Sequence, residues 1–260
     1  GRIDTWVNNA GISIFGRNEE VALEDMQRLF QTNYWGVVHG SLEAVKHMKT
    51  RGGGAIINLG SELSDRSIPL QGLYAASKHA VKAFTDALRM ELEKEGAPLS
   101  VTLIKPAAID TMFTVHAKNY MEKEPTLPPP VYAPEIVAKS ILYAARHPKR
   151  DVFVGGAAKA VSSAGFAMPR VLDKLMNASM FKQQQSDVPS SPNRRDALHE
   201  PDPRNELRQR KGMDDRHVIE TCPYTAVSLR SNKIMPALLG AGALFAAWKL
   251  ARRPGLRSAY

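Results

Sequence analysis

Short runs of β-branched and apolar residues alternate, over the first 156 positions, with longer stretches whose apolar residues recur every three or four places. The first run is Ile3 to Val7, closed by the polar turn Asn8-Asn9-Ala10-Gly11. From Glu24 to about Lys49, Met26, Leu29, Phe30, Val37, Leu42 and Val45 mark the apolar positions of a long amphipathic helix. Asn33 sits in its middle, where asparagine is a poor helix former. Gly52-Gly53-Gly54 stops that helix, and Ala55-Ile56-Ile57-Asn58-Leu59 reads as a strand buried on both faces. A second long helix carries Val81, Phe84, Leu88 and Leu92 on one stripe, with Gly96 and Pro98 ending it. Ser100 to Ile104 predicts a third strand, residues 135–146 a helix opened by Pro134, and Asp151 to Val154 a fourth strand. Strands alternating with long helices predict an α/β fold with a parallel sheet covered on both faces.

Beyond Gly156 the pattern changes. Residues 157–182 predict a helical extension interrupted by Pro169. Residues 183–233 are charged, rich in proline and poor in large apolar side chains, and are expected to form a disordered polar linker. Ile234 to Trp248 carries no charge. As a helix that run rises about 22 Å, short of the roughly 30 Å hydrocarbon core, and extension to residue 251 brings it near the lower limit for a span. Residues 234–251 are therefore a candidate membrane anchor, with a helix docked on the main domain as the alternative, and residues 252–260 form a basic tail.

The net charge is +9, with 22 Lys/Arg against 18 Asp/Glu in residues 1–182 and 13 against 8 in residues 183–260. The basic excess belongs mainly to the tail. No basic stripe interleaved with aromatics occurs, which argues against nucleic acid as a partner. The single cysteine, Cys222, excludes an intrachain disulfide, and no Cys/His spacing suits a metal.

The chemistry gathers between Gly54 and Lys78. Ser61 stands where the second strand ends, and Tyr74 and Lys78 follow four residues apart on a helix. That spacing places a phenol and an ammonium on one helix face. A strand-end serine facing such a pair suits polarising and protonating a carbonyl oxygen. A solvated helix face is the bland alternative.

Asn8-Asn9-Ala10-Gly11, Asn33, Ser61, Tyr74-x-x-x-Lys78 and Pro106 occur in this order. Together they resemble the C-terminal portion of a short-chain dehydrogenase/reductase, over about Ile3 to Gly156. The resemblance implies a Rossmann-like doubly wound parallel sheet, incomplete because the first strands are missing, over residues 1–156. It implies Asn33, Ser61, Tyr74 and Lys78 as catalytic residues, with Tyr74 the general acid/base and Lys78 lowering its pKa. It implies NAD or NADP as cofactor, contacted by Asn8, Ala10, Gly11, Tyr74, Lys78, Pro106, Ile109 and Thr111. Residues 106–111 match the family's Pro-Gly-x-x-x-Thr segment except that Ala107 replaces the glycine. The apolar segment 112–132 corresponds to a substrate lid and suggests a small hydrophobic alcohol or ketone.

The resemblance further implies self-association through the helices around Asn33 and Tyr74, and a cytoplasmic catalytic domain. The family's glycine-rich phosphate-binding turn has no counterpart in this sequence. The chain is therefore expected to be an N-terminally truncated piece that is inactive by itself. Two other readings remain open: a membrane-tethered scaffold without catalysis, and an epimerase or dehydratase using the same Tyr/Lys pair.

Overall fold

The computed structural model describes residues 1–201, 208–210 and 217–230. In chain order, β1 (Thr5–Asn8) and the two-residue β2 (Ile14–Phe15) precede α1 (Leu23–Phe30). A π-helical turn, Gln31–Trp35, leads directly into α2 (Gly36–Lys49). Next come β3 (Gly54–Leu59), a 3-10 turn at Glu62–Ser64, α3 (Gly72–Lys94) and β4 (Leu99–Pro106). Short pieces follow: β5 (Ala108–Ile109), α4 (Phe113–His116), β6 (Lys118–Asn119), β7 (Lys123–Pro125) and β8 (Val131–Tyr132). α5 (Pro134–Arg146), β9 (Asp151–Val154), α6 (Gly156–Ala167), α7 (Pro169–Gln183), β10 (Gln185–Pro189) and β11 (Val218–Ile219) complete the order, and residues 223–230 are helical.

The main sheet runs β1-β3-β4-β9 with every pairing parallel. β3 is central, and its side chains alternate between two cores. Ile56 packs with Val45, Met48, Leu88 and Val101 on the face covered by α2 and α3. Ile57 packs with Ile104, Ile136, Ala144 and Val152 on the face covered by α5. A strand buried on both faces needs apolar residues at successive positions, which is why this segment reads as a continuous run rather than an alternating one. β1 and β9 are the edge strands of this sheet, and Val7 on β1 is 37% exposed. The turn into β3 depends on glycine. Gly53 has φ +88°, and a Cβ on it would lie 1.8 Å from the Pro98 carbonyl oxygen.

Residues 184–201 depart from the expected disordered linker. β10 pairs antiparallel with β7, and Leu198 is buried among Ile12, Ile14, Val21 and Leu29. The segment is held by hydrogen bonds and one deeply buried leucine rather than by a periodic apolar face, so its composition resembles that of a linker. Among the described residues no helix is long and apolar enough to cross a membrane. The proposed anchor at 234–251 and the basic tail at 252–260 lie outside the described residues, as does part of the expected linker.

Candidate active site

β3 delivers Ser61 to the carboxyl end of the sheet. Ser61 opens the 3-10 turn: its Oγ accepts from Leu63 N at 3.1 Å, and its own N–H donates to Ser64 Oγ at 3.0 Å. This reciprocal capping fixes the serine's orientation. Tyr74 and Lys78 occupy the first two turns of α3 and are 8% and 3% exposed. Lys78 Nζ donates to the Leu59 carbonyl at 2.8 Å and lies 5.7 Å from the centre of the Tyr74 ring. Phe113, the first residue of α4, meets the Tyr74 ring edge-on at 5.4 Å.

Asn33 explains the break between α1 and α2. Its side chain leaves the helix: Oδ1 accepts from Ile12 N at 2.8 Å, while Nδ2 donates to Ile12 O at 2.9 Å and to Ser77 Oγ at 3.0 Å. The helix accommodates this by widening to a π turn, with Gly36 N bonded to Gln31 O. A fully buried asparagine thus clamps the turn after β1 to the helix that carries Tyr74 and Lys78. Asn33→Leu fills similar space but strips the partners from a buried N–H and a buried C=O. It is expected to cost about 2–4 kcal/mol, read as a lowered midpoint in urea unfolding. An unchanged midpoint would contradict the clamp.

A cavity of about 630 Å³ opens beside this group. Gly11, Ser61, Tyr74, Lys78, Pro106, Ile109 and Thr111 line it, so most of the expected site residues converge there. Asn33 stands behind it as a support. Asn8 does not reach it. Its Oδ1 accepts from Trp6 Nε1 at 2.8 Å, and its Nδ2 donates to Ser41 Oγ at 2.9 Å and Asn58 Oδ1 at 2.8 Å. Asn8 therefore ties β1 to β3 and α2. Ala10 is exposed and does not line the cavity, whereas its neighbour Asn9 does. Met112, Phe113 and Leu127 supply apolar wall, while Glu62, Gln71 and His116 are polar lining residues that the motifs did not single out. His116 Nε2 is buried without a hydrogen-bond partner among the described residues.

Burial dominates the electrostatics. It pushes the Tyr74 phenol above its ordinary value; the hydrogen bond with Ser61 opposes the rise and the charge of Glu62 adds to it. The expected lowering by Lys78 does not prevail in the protein alone, because burial outweighs it. Burial also brings Lys78 down to about 8 and raises Glu62 to about 7. Since the folded value of Glu62 exceeds its ordinary value of 4.5, the folded chain binds more protons between these pH values and loses stability as pH rises through them. Glu62→Gln is expected to stabilise the fold at pH 8 by about 3 kcal/mol and to leave it unchanged at pH 4. Denaturant titrations at the two pH values check this, and equal effects at both would contradict it.

Comparison with known proteins places this geometry in context. The short chain dehydrogenase family matches residues 1–122. "Uncharacterized oxidoreductase YxnA" of Bacillus subtilis (strain 168) is 48% identical over 202 residues, covering 77% of this chain and 57% of YxnA. The chain thus spans less than two thirds of that relative's length. SadH of Mycobacterium tuberculosis (strain ATCC 25618 / H37Rv), named as an oxidoreductase, is 30% identical over 193 residues, covering 70% of this chain and 68% of SadH. Among solved structures, a short chain dehydrogenase from Burkholderia cenocepacia J2315 in complex with NADP superposes with a TM-score of 0.58 at 25% identity, covering 67% of this chain and 70% of that one.

Proposed function

The chain belongs to the short-chain dehydrogenase/reductase family, and from that premise we propose that the intact protein is an NAD(P)-dependent oxidoreductase interconverting an alcohol and a ketone. One observation carries this reading: Ser61, Tyr74 and Lys78 converge on a single cavity at the carboxyl end of the sheet. That is where open α/β sheets bind their ligands.

The lining fits the nicotinamide end of such a cofactor. A Cβ on Gly11 would lie 3.5 Å from Lys78 Nζ and 3.6 Å from Asn33 Oδ1, so glycine keeps that approach clear. Gly11, Tyr74, Lys78, Pro106, Ile109 and Thr111 would hold it, with the Lys78 ammonium as the charged donor. When bound, the nicotinamide supplies or accepts the hydride. The chain's own residues handle the proton. Tyr74, raised above its ordinary value, is protonated across the neutral range and serves as the acid toward a carbonyl oxygen. Ser61, fixed by Ser64, hydrogen-bonds the same oxygen and orients it. Lys78 beneath the ring stabilises the negative charge that develops on Tyr74 as its proton leaves. Met112, Phe113 and Leu127 keep water from the reacting groups and favour an apolar substrate.

Self-association belongs to the same proposal. Trp35 and Leu42, beside and within α2, are 42% and 44% exposed, and Met90 on α3 is 59% exposed. The test is a panel of alcohols and ketones offered to the full-length protein with NAD(H) or NADP(H), following nicotinamide absorbance. Net cofactor turnover matched by substrate loss is expected. Substrate conversion without net change in the cofactor would instead identify an epimerase-type reaction.

A further inference from the structure

Residues 184–201 do more than pack against the domain: they also bond to the carboxyl end of α4. α4 has only four residues, too few to persist as an isolated helix. It nevertheless carries Phe113 against Tyr74, and it places His116 in the cavity wall. Its terminal carbonyls, which a helix leaves without internal partners, are met by the later segment. Arg194 Nη2 donates to Thr114 O at 2.8 Å and Val115 O at 3.2 Å, and Nη1 donates to Ala117 O at 2.5 Å. Ala197 N donates to His116 O at 2.9 Å. Four consecutive carbonyls are thus taken by one strap.

The strap is fixed on both sides of these contacts. Before them, β10 pairs with β7, Ser190 N donates to Glu122 O at 2.7 Å, and Arg194 Nε donates to Glu124 Oε2 at 2.8 Å. After them, Leu198 enters the core beside Leu29, and Arg28 Nε donates to the Leu198 carbonyl at 2.9 Å. His199 Nε2 lies 2.6 Å from Asp25 Oδ1. Asp25 is a firm anchor. Burial alone would raise its carboxyl, but hydrogen bonds from His199 and Tyr120 and the nearby Lys118 ammonium bring it below its ordinary value. The Arg194 side chain is 11% exposed, so its positive end sits largely desolvated at the carboxyl end of α4, where the helix dipole favours a cation.

We propose that Arg194 is a positioning residue for the reaction and that the 184–201 strap is the part of the protein that holds the substrate lid over Tyr74. This rests on the dehydrogenase reading above for its kinetic consequence, but not for its structural one. Arg194 touches neither the cavity nor the reacting groups; it acts through Phe113 and His116. A planar guanidinium reaches several carbonyls at once, which an ammonium cannot do. Arg194→Lys is therefore expected to recover only part of what Arg194→Ala loses.

Hydrogen exchange on the full-length protein reads the structural arm. In Arg194→Ala, the amides of His116 and Ala117, which bond Met112 O and Phe113 O, are expected to exchange about tenfold faster, while those within α3 keep their wild-type rates. His199→Ala, which frees the far end of the strap without touching the lid, is expected to shift the same amides less. Unchanged exchange at 116–117 in Arg194→Ala would overturn the strap. The kinetic arm uses NADPH-dependent reduction of 9,10-phenanthrenequinone as a bulky apolar probe. KM is expected to rise about tenfold while kcat stays within about threefold, the signature of lost binding rather than lost chemistry. An unchanged KM in an active enzyme would overturn the positioning role. A wild-type protein that reduces no carbonyl at all overturns the dehydrogenase reading instead, and the exchange rates still decide the strap.

Discussion

Tyr74→Phe is expected to lower carbonyl reduction by about 10³-fold, within the range that general acid catalysis contributes, while leaving fold and cofactor affinity in place. The substitution removes one oxygen. The ring that packs edge-on against Phe113 and above Lys78 remains. Because burial holds the phenol protonated in the free protein, no stabilising charge is lost with it. Steady-state rates and a cofactor fluorescence titration measure the two halves. Activity within tenfold of wild type would mean that the proton comes from elsewhere, with Lys78, Ser61, Glu62 and His116 among the other groups in the cavity wall.

Lys78→Met is expected to abolish activity nearly as completely and to make the protein more stable. The ordinary value of this lysine is 10.5 and its folded value is about 8. Between those pH values the unfolded chain binds more protons, so stability rises with pH, and below pH 8 the fold carries the whole cost of a buried charge. That cost is about 3 kcal/mol. Methionine removes it and gives up the hydrogen bond to Leu59 O, which is worth about 1 kcal/mol. The net expectation is a gain of about 1–2 kcal/mol at pH 7, read from urea unfolding. Above pH 10.5 both forms of the wild-type chain are neutral at this position, and the gain disappears. A loss of stability at pH 7 would show that the ammonium is paired more favourably than its burial implies. A stabilising change that removes function is the pattern expected of a residue held charged for chemistry rather than for folding.

Much of this was legible from residue order. β3 is recognisable because a strand covered on both faces must be apolar at successive positions, as Ala55, Ile56, Ile57 and Leu59 are, with Asn58 the one polar exception. Tyr74 and Lys78 are recognisable because helical spacing alone brings them together. Asn33 stands out as a residue type at odds with its helix, and the π turn shows what it does there. Asn8 was harder to place. A turn asparagine looks the same whether it faces a ligand or a neighbouring strand, and its partners Ser41 and Asn58 lie 33 and 50 residues away. Glu62 adjoins Ser61 in sequence, but only burial gives it a raised pKa. The strap was the least visible. Arg194 finds Thr114 and Ala117 about 80 residues back through backbone carbonyls, which every residue carries and which leave no mark on composition.

The proposed reaction turns on one event: transfer of hydrogen between a nicotinamide and a carbinol carbon in the cavity beside Tyr74. The most direct test supplies the full-length protein with a ketone and nicotinamide cofactor deuterated on the transferring face of C4, then locates the label by mass spectrometry. The expected result is one deuterium on the carbinol carbon of the alcohol with the wild-type protein, and none above background with Tyr74→Phe over the same interval. Alcohol formed without deuterium at that carbon, or label transferred equally by both proteins, would contradict it.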